Sequence, residues 1–229
     1  MVAITRDLHT GHCYHPPMSD TPEPVRPTLT VPAYLAALAS GEGTPGGGSA
    51  SAITGAMGIA LGAMVSRLSR KHCGDEAGAR LDAHIATADR LRLRLEEFAD
   101  ADEVAFRAYL DAVALPKQSD DDKATRRRAL HDALMGAAAV PLEVGRLCAE
   151  ALAALAVITP DSTRHTRSDI DTGCALLEAA GRGALVNARV NIDLLKDESA
   201  KAELSDAAVT LEKRLSDGAA LVRTARATV

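Results

Sequence analysis

Thr44-Pro45-Gly46-Gly47-Gly48-Ser49-Ala50-Ser51, continued by Ala52-Ile53-Thr54-Gly55-Ala56-Met57-Gly58, is the stretch that decides how this chain is built. Three consecutive glycines allow a bend that a Cβ would forbid and let another group come close to the backbone. The residues that follow still read as a helix. Small residues recur at Gly47, Ser51, Gly55, Gly58 and Gly62, in steps of four, four, three and four that share one helical face. A helix with such a face meets a neighbour, or a ligand, at backbone distance. At its start the loop leaves several N–H groups unpaired, which suits an anion or a carbonyl oxygen. It is not a phosphate-binding Walker loop, because no Gly-Lys-Ser/Thr follows. A tight helix crossing accounts for the glycines equally well at this point.

From Gly43 to Ser66 no side chain is charged, roughly the length of a membrane span. The stretch is rich in Gly, Ser and Ala, poor in Leu, Ile and Phe, and stands alone. The expectation is a buried central helix rather than a membrane helix. The remaining composition agrees. Of 229 residues, 47% are apolar but only 2% are aromatic, and there is no Trp. A core of Ala, Leu and Val favours closely packed helices over sheets. The net charge of −5 argues against a nucleic-acid binder. Cys13, Cys73, Cys148 and Cys174 are widely spaced and form no CxxC pair, so free thiols in a reducing compartment are expected. His9, His12, Cys13 and His15 lie in a Pro-containing segment without regular pattern, and no metal site is expected there or elsewhere.

Working outward, residues 1–28 read as a mobile tail interrupted by five prolines, and 29–229 as a single helical domain. A short helix near Val31–Ala39 has Thr30 as its cap and Gly41 just past its end. The glycine-loop helix runs from about Gly46 to Lys71. A long third helix spans about Glu76–Ala114 and ends at Leu115-Pro116. Ser119-Asp120-Asp121-Asp122 opens a fourth helix, which Pro141 should kink or break. Ser168 or Asp169 caps a fifth helix that runs to about Leu195. A sixth spans about Glu198–Ala227. The fold class is all-α, a bundle of five to six helices in one domain.

Four further clusters carry chemistry. Asp102 and Phe106 are four apart and share a helix face, placing a carboxylate beside an apolar group. A carboxylate with apolar surroundings has a raised pKa and serves as an acid or base near neutrality. From spacing alone a solvated side chain on an acidic helix is the better reading. Lys117 follows the rigid Leu115-Pro116 end. Ser168 and Asp169 open a helix and are explained by capping alone. Asn187 and Asn191 stand one turn apart on an otherwise apolar face and need partners if buried.

In this order the clusters resemble the cyclodeaminase/cyclohydrolase family. It includes the C-terminal domain of formiminotransferase-cyclodeaminase and stand-alone methenyltetrahydrofolate cyclohydrolases. The matching residues are Thr44–Ser49 with Gly55-Ala56-Met57-Gly58 and Met64-Val65, then Asp102 with Ala105-Phe106, and Leu115-Pro116-Lys117. Arg126 to Leu134, Val140-Pro141-Leu142, Ser168-Asp169 and Asn187-Ala188-Arg189-Val190-Asn191 complete the series. The resemblance covers about Val31 to Glu198.

What the resemblance implies is specific. The fold is a dimeric helical bundle with folate bound in a cleft near the subunit interface. The reactions are hydrolysis of 5,10-methenyltetrahydrofolate to 10-formyltetrahydrofolate, or closure of 5-formiminotetrahydrofolate with loss of ammonia. Asp102 takes the acid/base role. Gly46, Gly47, Gly48, Ser49, Lys117, Ser168, Asp169, Asn187 and Asn191 line the substrate site. No metal and no cofactor is implied. Without an attached formiminotransferase domain, the hydrolase is the first expectation and the cyclodeaminase the second. A catalytically silent folate-binding relative is a third, because two stretches depart from the family pattern. Arg70-Lys71-His72-Cys73-Gly74 lacks a tyrosine that many members carry, and Asp161–Arg167 lacks an asparagine before Ser168-Asp169. A cytoplasmic homodimer is expected.

Overall fold

The structure, a computed structural model, describes residues 30–227. The expected tail and the His9–His15 cluster lie outside that range. Six α-helices are described: α1 (Val31–Leu38), α2 (Gly47–Ser69), α3 (Asp75–Ala114), α4 (Asp120–Ile158), α5 (Arg167–Leu194) and α6 (Glu198–Ala227), with three single 3-10 turns between them. Among the described residues there is no strand.

The small residues of α2 determine the packing. At its Gly47 end α2 meets Asn187 of α5, and further along Gly58 meets Gly173 and Leu177, so the two helices are antiparallel. At Gly58 a Cβ would stand 2.8 Å from Leu177 Cγ and 3.0 Å from the Gly173 carbonyl, so only glycine permits this crossing. On the other flank Gly48, Gly55 and Gly62 meet Asp102, Leu95 and His84 of α3 in reverse order. α4 closes the bundle beneath α2, with Gly145 against Leu185 of α5, and α6 packs on α4 and α5, with Gly218 against Leu152 and Leu215 against Gly181. Leu81, Leu91, Leu95, Leu147, Leu152, Leu155, Leu177 and Leu185 are buried, and among the described residues Phe98 is the one buried Phe or Tyr. Burial of each such side chain contributes about 1.5–3 kcal/mol, so aliphatic residues carry this core.

α2 with the turn after it, Gly47–His72, is the one described helix long and apolar enough to cross a membrane. It is instead enclosed on three sides, by α3, α4 and α5.

Two expectations are corrected. α4 runs unbroken from Asp120 to Ile158 through Pro141. Proline has no N–H, so the Ala137 carbonyl one turn earlier loses its helical donor. Asn191 of α5 supplies it: its Nδ2 donates to Ala137 O at 2.8 Å and also to Asn187 O at 3.2 Å. The second correction concerns α5, which is capped by Thr166 and not by Ser168 or Asp169, both of which sit inside its first turn. The loop turns helical earlier because Thr163 and Thr166 hold a 3-10 turn together, with Thr166 N and Oγ1 donating to the Thr163 carbonyl.

The remaining caps follow their chemistry. Ser119 and Asp122 form a reciprocal capping box at α4, and Thr30 Oγ1 accepts from Ala33 N at α1. Cys148 and Cys174 are buried free thiols, and Cys73 is half-buried and free. One buried polar pair crosses the bundle far from the glycine loop. His84 Nδ1 lies 2.8 Å from Ser66 Oγ, while its Nε2 has no partner. Burial pushes this imidazole down from 6.5 to about 4.

Candidate functional site

The start of α2 is built to receive a side chain from another helix. Gly46 caps the helix in an extended conformation and makes no side-chain cap bond, since it has no side chain. The amides of the first turn are therefore open to groups from elsewhere. Asp102 of α3 takes one of them: Ser49 N donates to Asp102 Oδ2 at 3.0 Å. The carboxyl lies so close over Gly48 that a Cβ there would fall within it. Gly47 serves Asn187 in the same way, since a Cβ there would stand 3.2 Å from Nδ2 and 3.3 Å from Oδ1 of that amide. The glycine run thus brings Asp102 from α3 and Asn187 from α5 to one helix end.

A third group comes from α1. Tyr34 Oη lies 3.1 Å from Ser49 Oγ, a hydrogen bond that ties α1 to the loop. Asn187 Nδ2 donates to Gly183 O at 2.9 Å, which leaves its side-chain oxygen as the acceptor at the site. Phe106 packs over Gly43, whose φ of +81° places it in the left-handed region that favours glycine. The Thr44–Pro45 peptide is cis.

The electrostatics point in one direction. Burial pushes the Asp102 carboxyl above its ordinary value, and the neighbouring Glu103 adds to this; the Ser49 N–H bond opposes it without reversing it. Burial also raises the Tyr34 phenol, against its bond to Ser49, with Glu103 and Asp102 acting in the same sense as burial. The site therefore offers a carboxyl that binds its proton more tightly than usual, a phenol, a hydroxyl and an amide oxygen. Such a carboxyl can take a proton from water and return it to a nitrogen near neutral pH. Among the described residues no three His, Cys, Asp or Glu side chains converge as a metal site would require.

Of the residues singled out from sequence, Gly46, Gly47, Gly48, Ser49, Asp102 and Asn187 come together. Asn191 lies one turn beyond Asn187, with its amide nitrogen engaged by Ala137 and Asn187 carbonyls. Lys117 is exposed beyond the end of α3, about 18 Å of helix past Asp102. Ser168 and Asp169 open α5 about 27 Å of helix from Asn187. Within one chain these three stand apart from the carboxyl. The two departures from the family pattern lie with Ser168 and Asp169, at the end of the bundle where α2 finishes and α5 begins. Arg70 pairs with Asp82 at 3.0 Å, and Asp161 accepts two bonds from Arg80 at 2.9 Å. An open groove of about 490 Å³ between α3 and α4, lined by Ala108, Ala112 and Ala133, is separate from the glycine loop and carries only Asp111 and Asp132 as ionisable groups.

The profile of one family, described as formiminotransferase-cyclodeaminase, matches residues 30–210.

The chain belongs to the formiminotransferase-cyclodeaminase family.

Within that family it is 37% identical over 175 residues to a methenyltetrahydrofolate cyclohydrolase from Methylorubrum extorquens, covering 74% of this chain and 82% of that protein. It is 33% identical over 198 residues to formimidoyltransferase-cyclodeaminase from Sus scrofa, covering 82% of this chain but only 35% of that longer protein. A crystal structure of formiminotetrahydrofolate cyclodeaminase from Thermotoga maritima superposes with a TM-score of 0.78 at 24% identity, over 86% of this chain and 96% of that one. That likeness is one of fold.

Sequence reasoning missed Tyr34 and the Gly43–Phe106 contact. Tyr34 is one of three tyrosines in a chain with 2% aromatic residues, and it falls on a helix adjoining the glycine loop. That scarcity was the available signal. Gly183 also belongs to the site: a Cβ there would stand 2.7 Å from Ser51 Oγ, so it sets how closely α5 approaches the loop.

Proposed function

We propose that this chain hydrolyses 5,10-methenyltetrahydrofolate to 10-formyltetrahydrofolate, with Asp102 as the acid/base. The observation that carries the reading is the carboxyl of Asp102 seated over Gly48 and held by Ser49 N–H, with its pKa raised by burial. Membership of the family, and 37% identity to a cyclohydrolase, supply the substrate class.

In this reaction water adds to the one-carbon unit that bridges N5 and N10. Asp102 takes one proton from the attacking water. The tetrahedral carbon then releases N5, which receives the proton from Asp102, and the carbon remains on N10 as a formyl group. The second water proton leaves to solvent. No redox change occurs, so the reading calls for no redox cofactor. Asn187 and the open amides at the start of α2 are placed to hold polar atoms of the substrate. The enzyme is proposed to act in the cytoplasm as a homodimer.

The second reading, closure of 5-formiminotetrahydrofolate with loss of ammonia, is favoured by the similarity to bifunctional cyclodeaminases. It uses the same carboxyl to protonate the leaving nitrogen. A side-by-side assay separates them. Loss of methenyltetrahydrofolate absorbance above the buffer rate supports the hydrolase, and ammonia release from the formimino compound supports the cyclodeaminase. Binding of folate without either reaction would identify a silent relative.

A further inference from the structure

α1 lies on the bundle without joining its core. Its eight residues, VPAYLAAL, carry no charge, yet none is buried, and Tyr34 and Ala37 alone are half-covered. Val31, Leu35 and Leu38 are exposed. A helix this short does not hold its shape by itself in water. Among the described residues, the hydrogen bond that joins an α1 side chain to the bundle is the one between Tyr34 Oη and Ser49 Oγ, at 3.1 Å.

That bond falls directly on the site. Ser49 is 2% exposed, and its backbone N–H holds the Asp102 carboxyl. Burial, with Glu103 and Asp102 nearby, keeps the Tyr34 phenol protonated and so able to donate. α1 therefore stands at the entrance to the carboxyl.

The connection from α1 to α2 has an anchored part and a free part. At Gly43 the chain is seated on Phe106, where a Cβ would stand 3.6 Å from ring carbon Cε1. Gly41 is also left-handed, with φ of +86°, but no atom comes within 4 Å of where its Cβ would be. Its conformation is a requirement of the turn itself and not of a neighbour. A short helix on one side and an anchor on the other make this residue the pivot.

We propose that α1 is a lid over the carboxyl site, turning about Gly41 and latched by the bond between Tyr34 and Ser49. Open, it uncovers Ser49 and lets substrate and product pass. Closed, it keeps bulk water from Asp102 and holds the phenol at the substrate's edge. The lid and its latch stand without the folate reading; the passage of a folate beneath it rests on that reading.

Hydrogen exchange of the full chain without ligand tests the latch. Released α1 does not stay helical, so its amides exchange from the open form. In wild type, the amides of Leu35 to Ala39 should be protected, but less than those of α2. Tyr34→Phe should speed their exchange by up to about tenfold, the worth of one hydrogen bond, with α3 to α6 unchanged. Gly41→Ala should speed it about tenfold through the backbone alone, since the added methyl touches nothing. Gly41→Asn, which tolerates the left-handed region, should restore most of the protection. Protection as high as in α2, or unaltered by both Tyr34→Phe and Gly41→Ala, overturns the lid. So does protection that falls on dilution, as packing of α1 on a second copy would give.

Tetrahydrofolate, which has the folate frame without the one-carbon unit, tests the gate. It should slow α1 exchange in wild type. In stopped-flow it should leave Tyr34→Phe and Gly41→Ala up to about tenfold faster than wild type, and leave Gly41→Asn within about threefold of it. Tetrahydrofolate that binds but leaves wild type and variants at one rate overturns the gate. Tetrahydrofolate that does not bind, with the latch behaving as expected, would instead overturn the folate reading alone.

Discussion

The backbone N–H of Ser49 donates a 3.0 Å hydrogen bond to Asp102 Oδ2, joining two residues 53 positions apart in the chain. The carboxyl reaches that amide only because Gly48, just before it, has no side chain. Gly48→Ala should therefore displace Asp102 while leaving the helices in place. The expected result is a roughly 100-fold fall in kcat/KM, the scale set by misplacing a catalytic group by about 1 Å. The accompanying destabilisation should be about 1–3 kcal/mol, as for overpacking. Steady-state kinetics and denaturant unfolding of the same preparation measure both.

Asn191 and Pro141 should be energetically coupled. Asn191→Leu removes the donor to the Ala137 carbonyl and should cost about 1–3 kcal/mol, the price of a buried carbonyl without a partner. In a Pro141→Ala background the helix supplies its own N–H, and the same change should cost less. The double-mutant cycle should give a coupling of at least about 1 kcal/mol. Additive effects would show that Asn191 does not serve this carbonyl.

Tyr34 should matter at the site more than in the core. α1 buries no residue, so the fold draws little from it. Tyr34→Phe removes the bond to Ser49 Oγ and should lower kcat/KM by up to about tenfold, with a change in unfolding free energy below about 1 kcal/mol. An unchanged kcat/KM would place the phenol outside the working site.

His84 should make the fold acid-sensitive. Its folded pKa is lowered from 6.5 to about 4. The unfolded chain therefore binds this proton first, so the stability linked to the neutral ring is fully present above 6.5 and is lost as pH falls towards 4. The groups packed near it, Ser66 Oγ, Gly62 and the Leu155 side chain, provide no carboxylate to hold a cation. Wild type should lose on the order of 2–3 kcal/mol across this window beyond what His84→Gln loses. Equal slopes for the two proteins would contradict it.

The helices were legible because their signals are local. Caps at Thr30 and Ser119, the Gly-rich start of α2 and the Ala/Leu/Val periodicity each act within one or two turns. The glycines of α2 also announced close packing, though not that Gly48 meets a carboxyl and Gly58 another backbone. What sequence order could not convey was distance. Lys117, Ser168 and Asp169 follow Asp102 in the motif series but lie far from it within one chain, because α3 runs on past the site to Lys117 while α5 begins at the opposite end of the bundle, where α2 ends. Pro141 misled for a related reason. The rule that proline breaks a helix assumes that the freed carbonyl stays unpaired, and here an amide from α5, 54 residues away, satisfies it. Capping by Ser168 or Asp169 failed because Thr163 and Thr166 close a turn just ahead of them.

The account turns on Asp102, and the rate of methenyltetrahydrofolate hydrolysis by Asp102→Asn, followed by absorbance across pH, tests it most directly. Asparagine keeps the shape and can still accept from Ser49 N–H, so the fold should hold. Wild-type activity should fall on the acid side through a pKa above the ordinary ~3.9 of an aspartate, because burial raises this carboxyl. The variant should be folded, roughly 10²–10⁴-fold slower, and without that acid limb. A folded Asp102→Asn enzyme that turns over at near wild-type rate with the same pH profile would contradict the assignment.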